Sequence, residues 1–410
     1  MRLRWLSLLL VVLVTFAPCR AAANDAIPIR LAFVRGGDLW RWGGGTVQQL
    51  THEGDVSFPR FSHNGEWVLY QRGGEWRLMR ADGGRSWVVP LAGSAAWSPA
   101  ALELAVADGR DTYVVPVGDG GPGEARLVVR GWSGTVWSPD GMRLAVARAE
   151  RTGESLFEGK VFLGIVGSKG GEPRQILQER FPKGDCGGGA HASAWSPDGQ
   201  WLLLVRYGIT ASISADCNEL AVVRVSGGPA VSLGETPQPR WAVWSPVAPT
   251  LAFVDGVGRE ATRNKRLRLA SSPFGEPRAG EPRAGGDALT VTPPGFADRD
   301  PAWHPAGHYL AFTRSKAQPP VDMNDPAPGQ VIMRLDTRGG PPQPVPGSEG
   351  GFGPFWAADG TVFWFRHERG RTDLWQHRQG VTSAVLTDLD LTHSYYGQWN
   401  WPSVLDYVSK

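Results

Sequence analysis

The sequence lacks an excess of charge of either sign. Its 410 residues include 42 lysines and arginines against 40 aspartates and glutamates, a formal net charge of +2. The basic residues are scattered along the chain and form no runs, so the electrostatic footprint of a nucleic-acid-binding protein is absent. The 54 glycines mark turns and form no phosphate-binding motif. The sequence therefore predicts no nucleic-acid partner and no nucleotide cofactor.

Long apolar runs are also missing, except for one near the start of the chain. Residues 5–17 are apolar, follow Arg2 and Arg4, and precede three alanines that end at Ala23. This stretch is shorter than the roughly 20 residues that a membrane-spanning helix needs, and its charged start and small-residue exit are typical of a secretory signal peptide. We therefore expect a signal peptide over residues 1–23, one domain over residues 24–410, no transmembrane segment in the mature chain, and a periplasmic or secreted protein.

Cysteine is scarce, with three residues in the whole chain. Cys19 follows Pro18, which is unlike a lipid-attachment site, so the sequence does not predict a lipoprotein. If Cys19 leaves with the signal peptide, Cys186 and Cys217 remain in an oxidising compartment, where an even number of cysteines favours a disulfide. The alternative is a pair of unlinked surface thiols.

What the chain does contain is a repeat. An aromatic residue, a turn and a short apolar strand recur at spacings of 36 to 59 residues, as in Trp137-Ser138-Pro139-Asp140-Gly141 followed by LAVAR. Proline and glycine in this motif favour a tight hairpin turn. The following strand is almost continuously apolar, as expected when both faces of a sheet are covered. The aromatic residues, which we call anchors, are Phe61, Trp97, Trp137, Trp195, Trp244, Trp303 and Trp356.

These units predict an all-β fold, a propeller of four-stranded antiparallel blades. Residues 29–51 supply three strands without an anchor strand, and Trp399 lies 43 residues after Trp356, within the spacing of the other anchors. We therefore expect a C-terminal strand bearing Trp399 to pair with the N-terminal strands and close a ring of eight blades. A seven-bladed ring is the alternative, but it leaves three apolar strands without partners.

The motif Trp-Ser-Pro-Asp-Gly followed by an LAF-like strand resembles the WD40-like propeller repeat (PD40) of TolB and its relatives. The resemblance covers essentially the whole chain after the predicted signal peptide. It implies a role in the cell envelope with protein partners.

The longest loops follow second strands or lead into anchors, which places them at one end of the ring. Function concentrates on such loops, so this end and the channel mouth are the predicted binding surface. Cys186 and Cys217 both fall there on one blade. The candidate binding residues at the channel mouth are His52, Asp55, His191, Asp298, Asp300, His393, Tyr395, Tyr396 and Gln398.

Two functions from different classes follow from this arrangement. The first is a non-catalytic scaffold, without a cofactor and monomeric, that binds a protein, peptide or glycan in the cell envelope. The second is a metal-assisted polysaccharide lyase or hydrolase with its site in the channel, for which His52, His191 and His393 are the candidate metal ligands. No nucleophile motif supports a hydrolase, because Gly131-Trp132-Ser133-Gly134 lacks the spacing of a nucleophile elbow.

Overall fold

The structure is a computed structural model, and it describes residues 29–151, 159–180, 188–208, 218–272, 274, 288–318, 327, 329–391 and 395–409. These residues form eight antiparallel sheets arranged as the blades of a propeller. The expectation of eight blades is confirmed. Seven begin with an anchor strand and are numbered in chain order, and the N-terminal strands belong to blade 8.

Strands are numbered along the chain. Blade 8 starts with β1 (Ile29–Arg35), β2 (Asp38–Gly43) and β3 (Thr46–Gln49). Blade 1 contains β4 (Val56–Phe61), β5 (Trp67–Arg72), β6 (Glu75–Arg80) and β7 (Ser86–Val88). Blade 2 contains β8 (Ser94–Trp97), β9 (Glu103–Ala107), β10 (Thr112–Gly118), the short β11 (Gly121–Pro122) and β12 (Arg126–Val129). Blade 3 contains β13 (Ser133–Trp137), β14 (Arg143–Arg151), β15 (Gly159–Gly167) and β16 (Arg174–Arg180).

The second half of the ring follows the same order. Blade 4 contains β17 (Gly188–Trp195), β18 (Trp201–Gly208), β19 (Glu219–Arg224) and β20 (Val231–Glu235). Blade 5 contains the 3-10 turn η1 (Pro239–Trp241), then β21 (Ala242–Trp244), β22 (Thr250–Asp255), β23 (Arg266–Ser271) and β24 (Leu289–Thr290). Blade 6 contains β25 (Phe296–Trp303), β26 (Tyr309–Lys316), β27 (Val331–Asp336) and β28 (Gln343–Pro344). Blade 7 contains β29 (Gly351–Trp356), β30 (Val362–Glu368), β31 (Arg371–Arg378) and β32 (Val381–Leu389).

The chain ends with two 3-10 turns and a last strand. These are η2 (Tyr395–Gly397), η3 (Trp401–Ser403) and β33 (Leu405–Ser409). β33 pairs antiparallel with β1 and completes blade 8. The ring is therefore closed by a C-terminal strand paired with the N-terminal ones, as the sequence predicted.

The prediction that Trp399 anchors the closing strand was wrong. Trp399 lies outside the strand, in the irregular segment before it. Tyr407 is paired with Leu31 of β1. In blade 2 the anchor Trp97 is paired in the same way with Leu104, so Tyr407 occupies the anchor position of blade 8. Tyr407 follows Trp356 by 51 residues, a spacing that fits the repeat as well as that of Trp399 does. The anchor of blade 8 is therefore a tyrosine.

The turn after each anchor forms as its residue types require. Gly141 has a φ of 68°, a left-handed conformation that glycine adopts without strain. The Ser138 hydroxyl donates to an Asp140 carboxylate oxygen at 2.5 Å and accepts the Arg143 backbone N–H at 3.0 Å. These bonds hold the hairpin between the first and second strands of blade 3.

The second strands are buried on both faces. In β9, Leu104 and Val106 pack in a cluster with Trp67 of blade 1, whereas Ala105 packs with Leu144 of blade 3. All five side chains have no solvent exposure, as expected for second strands that read as nearly continuous apolar runs. Blade-to-blade packing therefore supplies the core.

Candidate ligand-binding channel

The innermost strand of each blade borders a central channel, and the anchors link neighbouring blades there. In five cases the indole N–H donates to the backbone carbonyl of the residue just before the previous anchor. The bonds are Trp97 to Arg60 (3.1 Å), Trp137 to Ala96 (3.2 Å), Trp195 to Val136 (3.1 Å), Trp303 to Val243 (3.0 Å) and Trp356 to Ala302 (3.0 Å). Each bond satisfies a partly buried donor and fixes one blade against the next.

Trp244 departs from this rule. Its indole nitrogen is shielded by protein atoms and has no hydrogen-bond acceptor among the described residues. The Phe274 ring stands edge-on to the Trp244 ring at 5.8 Å and to the Trp201 ring of blade 4 at 5.0 Å. Blades 4 and 5 are thus joined here by aromatic packing, and the Trp244 N–H is left as an unused donor.

Several inner strands carry a proline two residues before the anchor. These are Pro59, Pro301 and Pro354, in blades 1, 6 and 7. An innermost strand is a sheet edge that faces the channel, and proline has no N–H to offer to a further strand. Pairing of a ligand strand with these three edges is therefore discouraged.

The segment of residues 395–403 crosses the channel at the end of the ring that carries the long loops, which we call the loop face. The Arg240 guanidinium of blade 5 donates to the Trp399 carbonyl. On the far side, the Arg60 guanidinium of blade 1 donates to the Pro402 carbonyl at 2.7 Å. Blades 1 and 5 are opposite each other in a ring of eight, so this crossing segment spans the channel.

Aromatic packing holds the crossing segment in place. The Trp399 ring stacks on Phe352 of blade 7 at 4.5 Å. Trp401 stacks on Phe355 at 5.8 Å, and Phe355 in turn stacks on Tyr407 at 4.5 Å. Trp399 and Phe355 are almost fully buried. The crossing segment is therefore part of the folded core at this end of the channel.

Beneath the crossing segment the channel contains a cavity of about 410 Å³. It extends from Trp401 and Pro402 to Pro246 and Pro305, which are exposed at the opposite end of the ring, the turn face. The aromatic part of its wall consists of Trp241, Trp244, Trp303, Phe355, Trp401 and Tyr407. A volume of this size and an apolar wall are typical of small-ligand and peptide sites.

The charged groups beside the cavity are paired. A β-bulge between Arg299 and Ala302 gives Asp300 a φ of 52°. Its carboxylate accepts the Trp241 indole N–H at 2.6 Å and lies 3.5 Å from the Arg240 guanidinium. Burial lowers the pKa of Arg240, and the neighbouring Asp300 carboxylate opposes that shift.

Asp298 and Arg299 lie deeper in blade 6, both almost without solvent exposure. Arg314 forms a bidentate pair with Asp298, with nitrogen–oxygen distances of 2.7 and 2.6 Å. Arg299 donates to the Ser315 hydroxyl at 3.1 Å and to the Gln330 amide oxygen. Burial lowers the pKa of Arg299, and the nearby aspartates oppose that shift. Asp298 and Arg299 are therefore bonded within blade 6, although the shielded Nε of Arg299 has no hydrogen-bond partner among the described residues.

The candidate residues named from the sequence fall into separate places. Asp298 and Asp300 belong to the paired network just described. Gln398 is buried in the crossing segment, where its amide oxygen accepts from Gln238 of blade 5. Tyr396 has a φ of 63°, and its hydroxyl accepts from Arg259 at 3.2 Å. Tyr395 begins η2.

The histidines of the metal hypothesis do not share one blade. His52 is exposed between blades 8 and 1, and His191 lies on β17 of blade 4, with its ring 5.5 Å from that of Tyr207. Desolvation lowers the pKa of His191. His393 lies outside the described residues, as do Cys19, Cys186 and Cys217. No group of three histidine, cysteine, aspartate or glutamate side chains suited to a metal ion occurs in the part of the chain that the structure describes.

Asp55, the remaining candidate, is exposed on the loop face. It has a φ of 61°, and its carboxylate accepts the Gly73 N–H at 3.0 Å, so it orders the entry to blade 1. Elsewhere on this face, Lys265 is fully buried and donates to the carbonyls of Val257, Gly258 and Arg263 at 2.9 to 3.0 Å. Burial lowers the pKa of Lys265 to about 8.

The sequence did not identify the cavity itself. Its wall comes from anchors that the repeat did predict, but also from Arg240, Trp241 and the crossing segment. The available signal was the proline two residues before an anchor, as at Pro59, Pro301 and Pro354. Proline in a strand indicates a sheet edge, and here that edge borders the channel.

The fold and the channel together define an eight-bladed β-propeller with an axial cavity that the chain itself covers at one end. No protein-family model matches the chain, and no curated protein matches its sequence. No helix long and apolar enough to cross a membrane occurs among the described residues.

Solved structures do resemble this one. The putative TolB from Agrobacterium tumefaciens is 14% identical, over 77% of this chain and 87% of that chain, with a TM-score of 0.36. An oligogalacturonate lyase in complex with manganese is 14% identical, over 88% and 97%, with a TM-score of 0.46. A eukaryotic initiation factor is 11% identical, over 87% and 96%, with a TM-score of 0.51. At such low identity, likeness to a solved structure transfers no function.

Proposed function

We propose that this protein is an exported propeller of the cell envelope that binds a protein, peptide or glycan ligand without catalysis. The mature chain would begin near Asn24 and reside in the periplasm or outside the cell, as the predicted signal peptide implies. The ligand would enter the axial cavity from the turn face, and the loops of the other face would offer a second contact surface.

The observation that carries this proposal is the character of the cavity. Its wall is aromatic and apolar, and the charged groups at its inner end, Arg240 and Asp300, already neutralise each other. An aromatic and apolar wall provides a large contact area for a ligand but few polar groups. A site of this kind is suited to binding and not to catalysis. General acid or base catalysis would need an accessible titratable group at the reacting atoms. Asp298, the other nearby carboxylate, has no solvent exposure and is bound by Arg314.

Photocrosslinking from inside the cavity tests the proposal. A photoreactive phenylalanine analogue replaces Pro246, which is exposed and lines the cavity, and a control variant carries it at Val381, which is 64% exposed on blade 7. Both variants are irradiated in envelope extracts of the source organism. We expect a discrete adduct from position 246 that is absent from position 381, with the ligand recovered uncleaved.

Two results would contradict the proposal. Equal labelling from both positions, or none from position 246, would show that the cavity holds no ligand. Recovery of a cleaved polysaccharide would instead support the lyase or hydrolase, and metal analysis of the variant His191→Ala would then test the metal hypothesis directly.

A further inference from the structure

We infer that a groove between blades 8 and 1 is a second binding site, for a partner peptide that carries a carboxylate and, a few residues away, an ammonium group. Arg30 and Arg41 bind the carboxylate, and Asp82 binds the ammonium group. The groove shares no wall residue with the axial cavity. Its occupant is therefore independent of whatever the axial cavity takes.

The groove lies at the turn-face ends of β1 and β6 and has a volume of about 370 Å³. Arg30 and Arg41 belong to its blade 8 wall, and Phe61 and Asp82 belong to its blade 1 wall. The Arg30 guanidinium lies over the Phe61 ring, 5.9 Å from the ring centre. A side chain at position 65 would collide with that guanidinium, so Gly65 leaves the room that it needs. The surrounding residues therefore fix the position of Arg30 in the groove.

The two arginines carry positive charge that no carboxylate balances within the described ranges of the chain. Arg30 donates to the Asn64 carbonyl at 3.4 Å, and Arg41 donates to the Gln48 amide oxygen at 2.7 Å. Across β1 and β2, Arg30 is opposite Gly43, two residues after Arg41, so the two arginines are diagonal neighbours on one face of blade 8. Diagonal neighbours are about 7–8 Å apart, and like charges so placed repel each other. A ligand carboxylate between them would relieve that repulsion.

The junction of blades 3 and 4 has the same arrangement with its counter-charge in place. Arg143 has the position in blade 3 that Arg30 has in blade 8, just before the leucine that is paired with the anchor. The Arg143 guanidinium lies over Trp195, the anchor of the next blade, at 4.9 Å. It also lies 3.6 Å from the Asp140 carboxylate in its own hairpin. Arg30 thus has the surroundings of Arg143 without the carboxylate.

The sequence explains why blade 8 differs. Asp140 follows its anchor by three residues, whereas the residue three positions after Tyr407 is Lys410, whose side chain has no carboxyl group. The position of Arg41 in blade 8, opposite the alanine after that leucine, is held in blade 3 by Ile165. Blade 8 therefore has two arginines where blade 3 has one arginine and its aspartate.

The acidic groups of the groove favour a peptide over a polyanion. Glu66 lies 3.6 Å from Arg80, which balances its charge, whereas Asp82 is exposed and has no ion pair with any described residue. A polyuronate or an anionic membrane would place further negative charges against both carboxylates, and such contacts are unfavourable. A peptide with charges of both signs can place its carboxylate on the two arginines, where guanidinium groups bind carboxylates well, and its ammonium group on Asp82.

Fluorescence polarisation on the mature chain tests this site. The probe is an end-blocked peptide of three Glu-Gly-Gly-Lys units with a neutral dye, and the peptide controls replace every glutamate or every lysine by glutamine. An unlabelled oligouronate serves as competitor. The test variants are Arg41→Gln and Asp82→Asn, and both remove a charge outside the buried core. The matched control is Arg126→Gln, because Arg126 also donates to a neutral acceptor, the Ser168 carbonyl at 3.0 Å, but lies between blades 2 and 3.

We expect saturable binding of the Glu-Lys peptide that weakens as salt is raised, because exposed charges are screened. Arg41→Gln and Asp82→Asn should each weaken binding about fivefold, and Arg126→Gln should leave it within about twofold. Asp82→Asn should also bind the peptide without lysine as well as the one with lysine.

Absence of binding, or unchanged affinity in Arg41→Gln, overturns the inference. Displacement of the probe by the oligouronate at lower concentration than by unlabelled peptide also overturns it, because the groove would then be a glycan site. The crosslink from position 246 tests the axial cavity alone, so its loss would contradict the proposed function and leave this groove as a peptide site.

Discussion

The closing strand makes a sharp prediction about stability. Leu405 begins β33, is paired with Phe33 of β1, and has no solvent exposure. Replacing a fully buried leucine by alanine removes its transfer free energy and leaves a cavity, at a cost of roughly 2–5 kcal/mol. We expect Leu405→Ala to lower the free energy of unfolding by about 3 kcal/mol, because ring closure depends on this strand.

Urea unfolding followed by tryptophan fluorescence measures this loss. With an m-value of about 3 kcal/mol/M, a loss of about 3 kcal/mol lowers the midpoint by about 1 M. Leu104→Ala is the matched variant, since Leu104 is equally buried in the second strand of blade 2. Val381→Ala, at a side chain that is 64% exposed, should change stability by less than about 0.5 kcal/mol. If Leu405→Ala behaved like Val381→Ala while Leu104→Ala lost about 3 kcal/mol, β33 would not be part of the closed ring.

Three further variants probe the channel and the loop face. Trp137→Phe leaves the Ala96 carbonyl without its indole donor and should cost about 1–2 kcal/mol in urea unfolding; an unchanged midpoint would show that the link between blades is unimportant. Burial lowers the pKa of Lys265 to about 8 from an ordinary 10.5, so between these values the unfolded chain binds more protons and stability rises with pH. Relative to Lys265→Met, the wild type should therefore gain about 2 kcal/mol between pH 7.5 and 9.5, and a pH-independent difference would refute this. Arg240→Met removes the donor to the Trp399 carbonyl, so amide hydrogen exchange in residues 395–403 should accelerate; unchanged exchange would mean that aromatic packing alone holds the crossing segment.

Much of the fold was predictable because its signals are local. The anchor, the turn after it and the apolar second strand lie within about a dozen residues, and the Ser138 turn forms as its side chains require. Ring closure could be predicted because residues 29–51 supply only three of the four strands of a blade. Without a fourth strand from the C-terminus, residues 29–35 would form an unpaired sheet edge, which is unfavourable.

The position of the last anchor was not predictable from the same signals. Trp399 and Tyr407 are both aromatic and both fit the spacing of the repeat. Pro402 lies between them and has no N–H for a strand ladder, which favours the later residue as the start of regular pairing. Trp399 instead fills the space over Phe352, a contact between distant parts of the chain that no local pattern reveals.

In the candidate site, too, local features could be predicted from the sequence and contacts between distant parts of the chain could not. The sequence places Asp298 and Asp300 just before the anchor Trp303, in a loop at the channel mouth, whereas the structure has both on β25, the innermost strand of blade 6. Their partners are Arg314 on the next strand and Arg240 on another blade. The second pairing depends on the β-bulge that turns the Asp300 carboxylate toward blade 5. A bulge of this kind has no marker in the sequence, because Asp300 is not a glycine.

A disulfide between the two ends of the chain tests ring closure most directly. Arg30 and Val408 are directly paired across β1 and β33. Residues opposite each other in an antiparallel pair have Cα atoms about 4.5–5.5 Å apart, within the range that a disulfide spans. Mass spectrometry of an unreduced digest of the double variant Arg30→Cys with Val408→Cys should show a peptide that joins the two termini. Two free thiols at these positions after oxidation, in a folded protein, would contradict the shared sheet on which the closed eight-bladed ring depends.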